Sequence, residues 1–69
     1  MAFVSLKIMS RTDSGSYRII TTRLEKLSCV QQVQALPERK QVKLTVSPQC
    51  ENQALVNALF MIGYRAEIE

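Results

Sequence analysis

The 69-residue sequence predicts an α+β sandwich in which two helices cover one face of a four-stranded antiparallel sheet. Three observations carry this prediction. Apolar residues alternate in four short segments, they recur every three or four residues in two longer segments, and every connection is short. The resulting order, strand-helix-strand-strand-helix-strand, is that of the ferredoxin-like βαββαβ sandwich. Because crossovers between parallel strands are right-handed, we expect the strand order 4-1-3-2.

The first strand and the first helix are predicted from the spacing of their apolar residues. Along 3–9, "FVSLKIM", the alternation is typical of a strand with one apolar face. Along 17–27, "YRIITTRLEKL", spacings of four and three are typical of an amphipathic helix. The residues expected to face the core are Val4, Leu6, Ile8, Ile20, Leu24 and Leu27. The segment "RTDSGS" lies between these elements, and we expect Thr12, Asp13 or Ser14 to be the N-cap of the helix.

The second half of the chain is predicted to form a hairpin, a second helix and a last strand. Alternating residues in 30–36 and 41–46, joined by "PERK", are typical of an antiparallel hairpin. A helix is predicted over 47–63, with Ser47 as N-cap, Pro48 in the first turn and Gly63 at the left-handed C-terminal position. The apolar residues expected to pack inward are Val42, Leu44, Val46, Leu55, Leu59 and Ile62, with Ala54 and Ala58 permitting close approach. The last strand is "YRAEIE".

Composition limits the function classes. The chain has no histidine, so the commonest general base and the commonest nitrogen ligand for metals are both missing, and we expect it not to be an enzyme. A net charge of +3, with scattered basic residues, is too mild for a dedicated nucleic-acid binder. The N-terminus lacks a basic n-region, and no apolar run approaches the roughly 18 residues of a membrane span. We therefore expect a cytoplasmic domain that does not insert into the membrane.

The open face of the predicted sheet also argues against nucleic acid. RNA-recognition motifs share this topology and stack bases on aromatic residues of their central strands. Here the side chains expected on those strands are Ser5, Lys7, Gln41, Lys43 and Thr45.

The predicted topology brings distant residues together at the two ends of the sandwich. One end collects the loop after the first strand, the "PERK" turn and the "GYR" junction. Its candidate partner- or anion-binding residues are Arg11, Thr12, Asp13, Ser14, Ser16, Arg39, Lys40 and Arg65. The other end collects Cys29 and Cys50, whose spacing matches no zinc motif. These cysteines are either small apolar residues of a cytosolic protein, a disulfide or a two-thiolate metal clip.

Two interpretations of "RTDSGS" remain open at this point. One is a capping turn alone. The other is a site for an anion or an acidic partner, because Arg11 lies beside a helix N-terminus, whose dipole favours negative charge. A site for a hard metal on Asp13, Ser14 and Ser16 has only one carboxylate, fewer than calcium or magnesium sites use.

Three stretches of the chain resemble the heavy-metal-associated domain family, which comprises cytosolic copper chaperones and N-terminal modules of metal-transporting P-type ATPases. "LEKLSCVQQVQALPERKQVKLTV" is similar to the family's "L-x-x-L-x-G-V" helix end and hairpin, with Cys29 where glycine is usual. "ALVNALFMIGYRAEI" resembles its second helix, which ends in "G-Y-x-A". "LKIMSRTDSGS" occupies the place of its metal loop, "G-M-T-C-x-x-C". The resemblance spans essentially the whole chain.

The resemblance places the two metal-binding cysteines of the family at Asp13 and Ser16, and an alternative alignment shifted by two places them at Arg11 and Ser14, which also carry no sulfur. Thr12 is retained, and Arg11 stands where methionine is common. Oxygen ligands are hard, whereas the soft ions that this family carries need thiolate sulfur, so we expect no metal at Asp13 and Ser16.

The resemblance therefore implies a degenerate heavy-metal-associated domain over residues 1–69, without a cofactor. It would dock on a protein partner or an adjacent domain of a metal-transport system, through the end that contacts partners in the family. The alternatives are a metal carrier that binds copper or zinc weakly through Cys29 and Cys50 or through ligands of a partner, and a module that binds an anion or small ligand. The chain is either a small protein complete from Met1 or the first domain of a transporter.

Overall fold

A computed structural model describes residues 2–13 and 15–69. The elements are β1 (Ala2–Ile8), α1 (Ser16–Glu25), β2 (Val30–Leu36), a 3-10 helix (Pro37–Arg39), β3 (Gln41–Val46), α2 (Asn52–Phe60) and β4 (Ala66–Ile68). The strands lie in the order β2-β3-β1-β4, and all neighbouring pairs are antiparallel. This is the predicted order 4-1-3-2 read from the opposite edge, so the predicted ferredoxin-like fold class is confirmed.

The core lies between the sheet and the two helices, as the apolar spacing predicts. The central strand β3 shows the alternation directly, because Val42 and Leu44 are buried while Lys43 between them is exposed. The other fully buried large side chains come from β1, β3 and both helices: Leu6, Ile8, Ile20, Leu24, Val46, Leu55 and Leu59. Val4, Leu27 and Ile62, also predicted to face inward, are partly buried and pack at the margin of this core.

Helix α2 begins at Asn52, four residues later than Pro48, the predicted first helical residue. Glu51 is its N-cap, so the predictions of Ser47 as N-cap and Pro48 in the first helical turn are wrong. The backbone N–H of Cys50 donates to the Ser47 carbonyl at 3.0 Å, which closes a turn before the helix. The late start also leaves Ala54 exposed, so of the two predicted alanines only Ala58 packs against the core.

The C-terminal end of α2 has the predicted glycine geometry. Gly63 has φ of +93°, in the left-handed region that favours glycine. The backbone N–H of Gly63 donates to Phe60 at 3.0 Å, and that of Tyr64 donates to Leu59 at 2.9 Å. This pair of bonds is the Schellman pattern, which satisfies the last carbonyls of the helix and turns the chain toward β4.

A disulfide joins Cys29 and Cys50 at the end of the sandwich where β2 and α2 begin. The two Cα atoms are 5.3 Å apart, and 21 residues separate the cysteines in the sequence. The two residues lie at the same end, as the topology predicts. Of the three alternatives open from the sequence, the structure has the disulfide.

Two further observations concern the helices. Among the helices of residues 2–13 and 15–69, none has the length and apolarity needed to cross a membrane.

In the first turn of α1, Tyr17 is buried, and its hydroxyl has no hydrogen-bond partner within the described part of the chain. A buried hydroxyl without a partner costs free energy, because it gives up its bonds to water without replacement.

Reduction of the Cys29–Cys50 disulfide is expected to lower the free energy of unfolding by about 3 kcal/mol, because the crosslink restricts the unfolded chain. The measurement is urea denaturation of the oxidised and the reduced protein. The double variant Cys29→Ser/Cys50→Ser should match the reduced protein. An unchanged urea midpoint after complete thiol release would contradict the expected contribution.

Substitution Tyr17→Phe is expected to raise the free energy of unfolding by about 1 kcal/mol, because it keeps the buried ring and removes the unpartnered hydroxyl. Urea denaturation measures the change. Tyr64→Phe is the matched control at a partly buried tyrosine and should change stability less. A loss of stability in Tyr17→Phe would mean that the hydroxyl makes a favourable contact.

Candidate functional site

Asp13 and Ser16 bind each other where the first loop enters α1. The Asp13 carboxylate accepts hydrogen bonds from the backbone N–H groups of Gly15 and Ser16, at 3.0 and 3.1 Å, and from the Ser16 hydroxyl at 3.1 Å. In return, the backbone N–H of Asp13 donates to the Ser16 hydroxyl oxygen at 3.0 Å. These reciprocal bonds resemble a capping box, in which two side chains satisfy the free N–H groups of a helix start.

The N-cap of α1 differs from the prediction. The N-cap residue is Gly15, which makes no side-chain cap bond, rather than Thr12 or Asp13. Asp13 still satisfies backbone donors, but it does so from two residues earlier through a turn in which its carboxylate bonds Gly15. Ser14, the third candidate, lies outside the described residues.

The same hydrogen bonds determine the ionisation of Asp13. The Ser16 hydroxyl and then the Gly15 backbone N–H stabilise the ionised carboxylate, and they hold the pKa of Asp13 below its ordinary value of 3.8. Asp13 is therefore a negatively charged group at neutral pH, placed at the N-terminus of α1, where the helix dipole favours negative charge.

Three hydrogen bonds tie the first loop to the residues that precede β3 and β4. The backbone N–H of Ile8 donates to the Lys40 carbonyl at 2.7 Å, and that of Met9 donates to the Arg65 carbonyl at 2.8 Å. The backbone N–H of Arg65 donates in turn to the Ser10 hydroxyl at 2.6 Å. The structure thus brings Lys40 and Arg65 beside the loop. Sequence reasoning missed Ser10, whose only signal is a hydroxyl residue directly after a strand.

The candidate residues differ in their access to a partner. Those with exposed side chains are Arg11, Asp13, Arg39, Lys40 and Arg65. Thr12 is half-buried, and Ser16 is only 5% exposed with its hydroxyl bonded to Asp13, so Ser16 shapes the loop without offering a contact. We call this surface the first-loop end, defined by residues 9–13, Arg39, Lys40 and Arg65.

Exposed apolar side chains lie close to these cations in the sequence. Met9 belongs to the first loop and is 51% exposed. Phe60 and Met61, at the C-terminal end of α2, are 65% and 78% exposed. Because α2 runs toward the end that holds the first loop, its exposed apolar residues Phe60 and Met61 lie in the part of the helix nearest that end.

No metal centre is evident in the described part of the chain. Within residues 2–13 and 15–69, no group of three or more Cys, Asp or Glu side chains is placed to hold a metal ion. The first loop contains no cysteine. Cys29 and Cys50 form a disulfide at the opposite end of the sandwich.

The open face of the sheet carries one aromatic residue that the sequence argument did not count. Phe3 is 81% exposed and lines a shallow groove with Ser5, Lys43 and Thr45. One aromatic ring can stack on one base, whereas the aromatic residues of an RNA-recognition motif stack on two or three bases.

Neither a protein-family model nor a curated protein matches this chain. Solved structures match it over nearly the full length. Oxidised MerP from Ralstonia metallidurans CH34 is 22% identical, with a TM-score of 0.92 over 99% of this chain and 96% of that one. NmerA, the N-terminal HMA domain of Tn501 mercuric reductase, is 26% identical, with a TM-score of 0.86 over 94% of each chain. The yeast copper transporter domain Ccc2a is 19% identical, with a TM-score of 0.88 over 97% of this chain and 93% of that one.

These likenesses bear on the fold. The TM-scores of 0.92 and 0.88 over 99% and 97% of this chain mean that these structures share its fold over nearly the whole length. The resemblance that the sequence predicts is therefore confirmed: the chain has the fold of the heavy-metal-associated domains.

Proposed function

We propose that this chain is a non-catalytic docking or regulatory module of a cytoplasmic metal-transport or metal-homeostasis system. Its first-loop end binds a protein partner or an adjacent domain, and its first loop holds no metal through thiolates. One observation carries the proposal. The two positions where the family places its metal-binding cysteines, Asp13 and Ser16, are bound to each other in a helix-capping arrangement.

The chemistry of the first loop does not fit a soft metal ion. Cu(I) and similar ions prefer thiolate or thioether sulfur, whereas Asp13 and Ser16 offer hard oxygen. One carboxylate oxygen of Asp13, Oδ1, already accepts three hydrogen bonds, and the Ser16 hydroxyl exchanges hydrogen bonds with Asp13. A metal bound by both Oδ1 and the Ser16 hydroxyl would have to displace these bonds at the start of α1.

The alternative of an anion site at this helix start is also disfavoured. A bound anion would use the free N–H groups at the N-terminus of α1. Here the carboxylate of Asp13 accepts the N–H groups of Gly15 and Ser16, so the chain supplies its own anion. Arg11 nearby remains exposed to solvent.

The first-loop end has the properties of a docking surface. Two backbone bonds, Ile8 to Lys40 and Met9 to Arg65, and the bond from the Arg65 N–H to the Ser10 hydroxyl hold the end of β1 and the first loop against two other connections, which limits how far the surface rearranges on binding. Exposed Arg11, Arg39, Lys40 and Arg65 would attract an acidic partner, and Met9 adds apolar area. The similar domains belong to a mercuric reductase and a yeast copper transporter, which suggests a partner that handles metals.

The capping role of Asp13 has a pH signature. Its lowered pKa means that the ionised carboxylate stabilises the folded state above the ordinary pKa of 3.8, and that this stabilisation disappears as the pH falls through the folded-state value. We expect Asp13→Asn to have a lower melting temperature than the unmodified chain at pH 7, with the difference shrinking as the pH falls below 3.8 and through the lowered pKa of Asp13.

Thermal unfolding monitored by circular dichroism between pH 2 and pH 7 measures this difference. Glu25→Gln, which removes an exposed acid at the opposite end of α1, is the control and should not show the same loss at pH 7. A constant difference at all pH values in Asp13→Asn would mean that the charge of Asp13 does not stabilise the helix.

Docking at the first-loop end predicts that charge reversal there weakens partner binding. The probe is the soluble N-terminal domain of a metal-transporting P-type ATPase from the same organism, titrated into the isotopically labelled chain. NMR shifts should concentrate in residues 9–13, 39–40 and 65. Arg11→Glu should weaken binding about fivefold, the effect of losing roughly 1 kcal/mol of surface charge attraction.

Lys43→Glu is the matched control, because it makes the same charge change at an exposed residue of the open sheet face. It should bind the ATPase domain almost as tightly as the unmodified chain. Equal weakening by both variants would mean that the effect depends on net charge and not on the position of Arg11. Shifts confined to the open face would place docking elsewhere and overturn the proposal.

A further inference from the structure

The cysteine pair at the opposite end of the sandwich has no role in the docking surface. Cys29 and Cys50 are the only sulfur residues of the chain besides its methionines, and both are partly exposed. They form a disulfide between two connections, one leading into β2 and one leading into α2. The pair lies at the other end of the molecule from Asp13 and Ser16.

Backbone hydrogen bonds hold both cysteines in place independently of the disulfide. Cys29 lies in a turn closed by the bond from the Val30 N–H to the Leu27 carbonyl at 3.1 Å. Cys50 ends a turn closed by its own N–H and the Ser47 carbonyl at 3.0 Å. The two turns are joined because the Ser47 N–H donates to the Cys29 carbonyl at 2.8 Å. Breaking the S–S bond therefore leaves the two Cα atoms near their distance of 5.3 Å.

The position of the pair favours thiolates after reduction. Cys50 precedes Glu51, the N-cap of α2, and no side chain caps the N–H groups of that helix start. The first turn of α2 contains no acidic residue, although Glu51 itself is adjacent to Cys50. A helix N-terminus stabilises a nearby thiolate, the form of cysteine that binds metals.

We propose that reduction of Cys29–Cys50 creates a two-thiolate site for a soft monovalent metal ion of the Cu(I) type. A dithiol reductant breaks the S–S bond and gives two electrons and two protons to the cysteines, while it becomes a cyclic disulfide. The metal ion then forms two metal–sulfur bonds and displaces the two thiol protons to solvent. The oxidised pair has no thiolate to offer, so the redox state of the pair controls metal capture.

The number of ligands selects the class of metal. Structural zinc sites use four ligands, whereas the described residues place no third Cys, Asp or Glu with this pair and the chain has no histidine. Two sulfurs at about 2.3 Å from one ion lie at most about 4.6 Å apart. Cα atoms 5.3 Å apart allow that separation when the side chains rotate. Soft ions that accept two thiolates fit this site better than zinc does.

The test is an anaerobic Cu(I) titration of the full chain against a chromogenic Cu(I) chelator. The protein is reduced with dithiothreitol and then freed of it, and a second sample stays oxidised. We expect about one Cu(I) per reduced chain and none per oxidised chain. Cys29→Ser and Cys50→Ser should each abolish uptake. The double variant Met9→Leu/Met61→Leu, which removes two exposed thioethers, should retain it.

NMR spectra of the reduced chain show whether it stays folded and where the ion binds. We expect a dispersed spectrum and Cu(I)-dependent shifts around residues 28–31 and 47–52. A folded reduced chain that takes up no Cu(I), uptake that survives Cys50→Ser, or shifts in residues 9–13 would each overturn the proposal. So would a reduced chain that unfolds, because the site depends on the backbone that holds the two turns. A folded reduced chain without uptake, or uptake that survives Cys50→Ser, leaves docking at the first-loop end untouched, whereas shifts in residues 9–13 or unfolding on reduction would also count against the proposed function.

Discussion

The shape of the first-loop end depends on the hydrogen bonds between Asp13 and Ser16. The carboxylate accepts the N–H groups of the N-cap residue Gly15 and of Ser16, the first residue of α1, and the serine hydroxyl accepts a bond from the Asp13 backbone. This arrangement needs no ion, because the negative charge that the helix dipole favours is already supplied by the chain. It also leaves Ser16 buried. The first loop therefore holds its shape through its own hydrogen bonds, and the neighbouring cations are positioned without a bound ligand.

The two ends of the sandwich differ in chemistry because the topology separates them. Connections that follow β1, β2 and α2 meet at the first-loop end, and those that follow α1 and β3 meet at the other. Oxygen and nitrogen groups dominate the first end, and the only two cysteines lie at the second. Sulfur chemistry at Cys29 and Cys50 can therefore change with redox conditions while the first-loop end keeps its hydrogen bonds. A domain built in this way could sense one condition at one end and bind a partner at the other.

Most of the fold could be predicted from the sequence because alternation and helical spacing act locally. The bounds of β2 and β3 agree with the prediction, and Gly63 has the expected left-handed geometry. The start of α2 could not be predicted, since a capping serine followed by proline also suits a turn. The turn is favoured by the bond from the Ser47 N–H to the Cys29 carbonyl and by the disulfide between Cys50 and Cys29. Local spacing cannot show these long-range contacts. The role of Ser10 was hidden for the same reason, because its partner Arg65 is 55 residues away.

The disulfide bears on where such a chain can work. Disulfides persist in oxidising compartments, and in a reducing cytosol an accessible pair is present as thiols. The sequence predicts a cytoplasmic domain, whereas the structure contains the oxidised pair, and the two agree if Cys29 and Cys50 exchange between both forms. The backbone bonds through Ser47 make this exchange tolerable, because they preserve the turns that the crosslink joins. In its reduced form the chain would then have thiolate ligands at Cys29 and Cys50, at the end opposite the loop where the family resemblance places the metal-binding cysteines. The fold would then bind a soft metal ion at the end opposite the first loop.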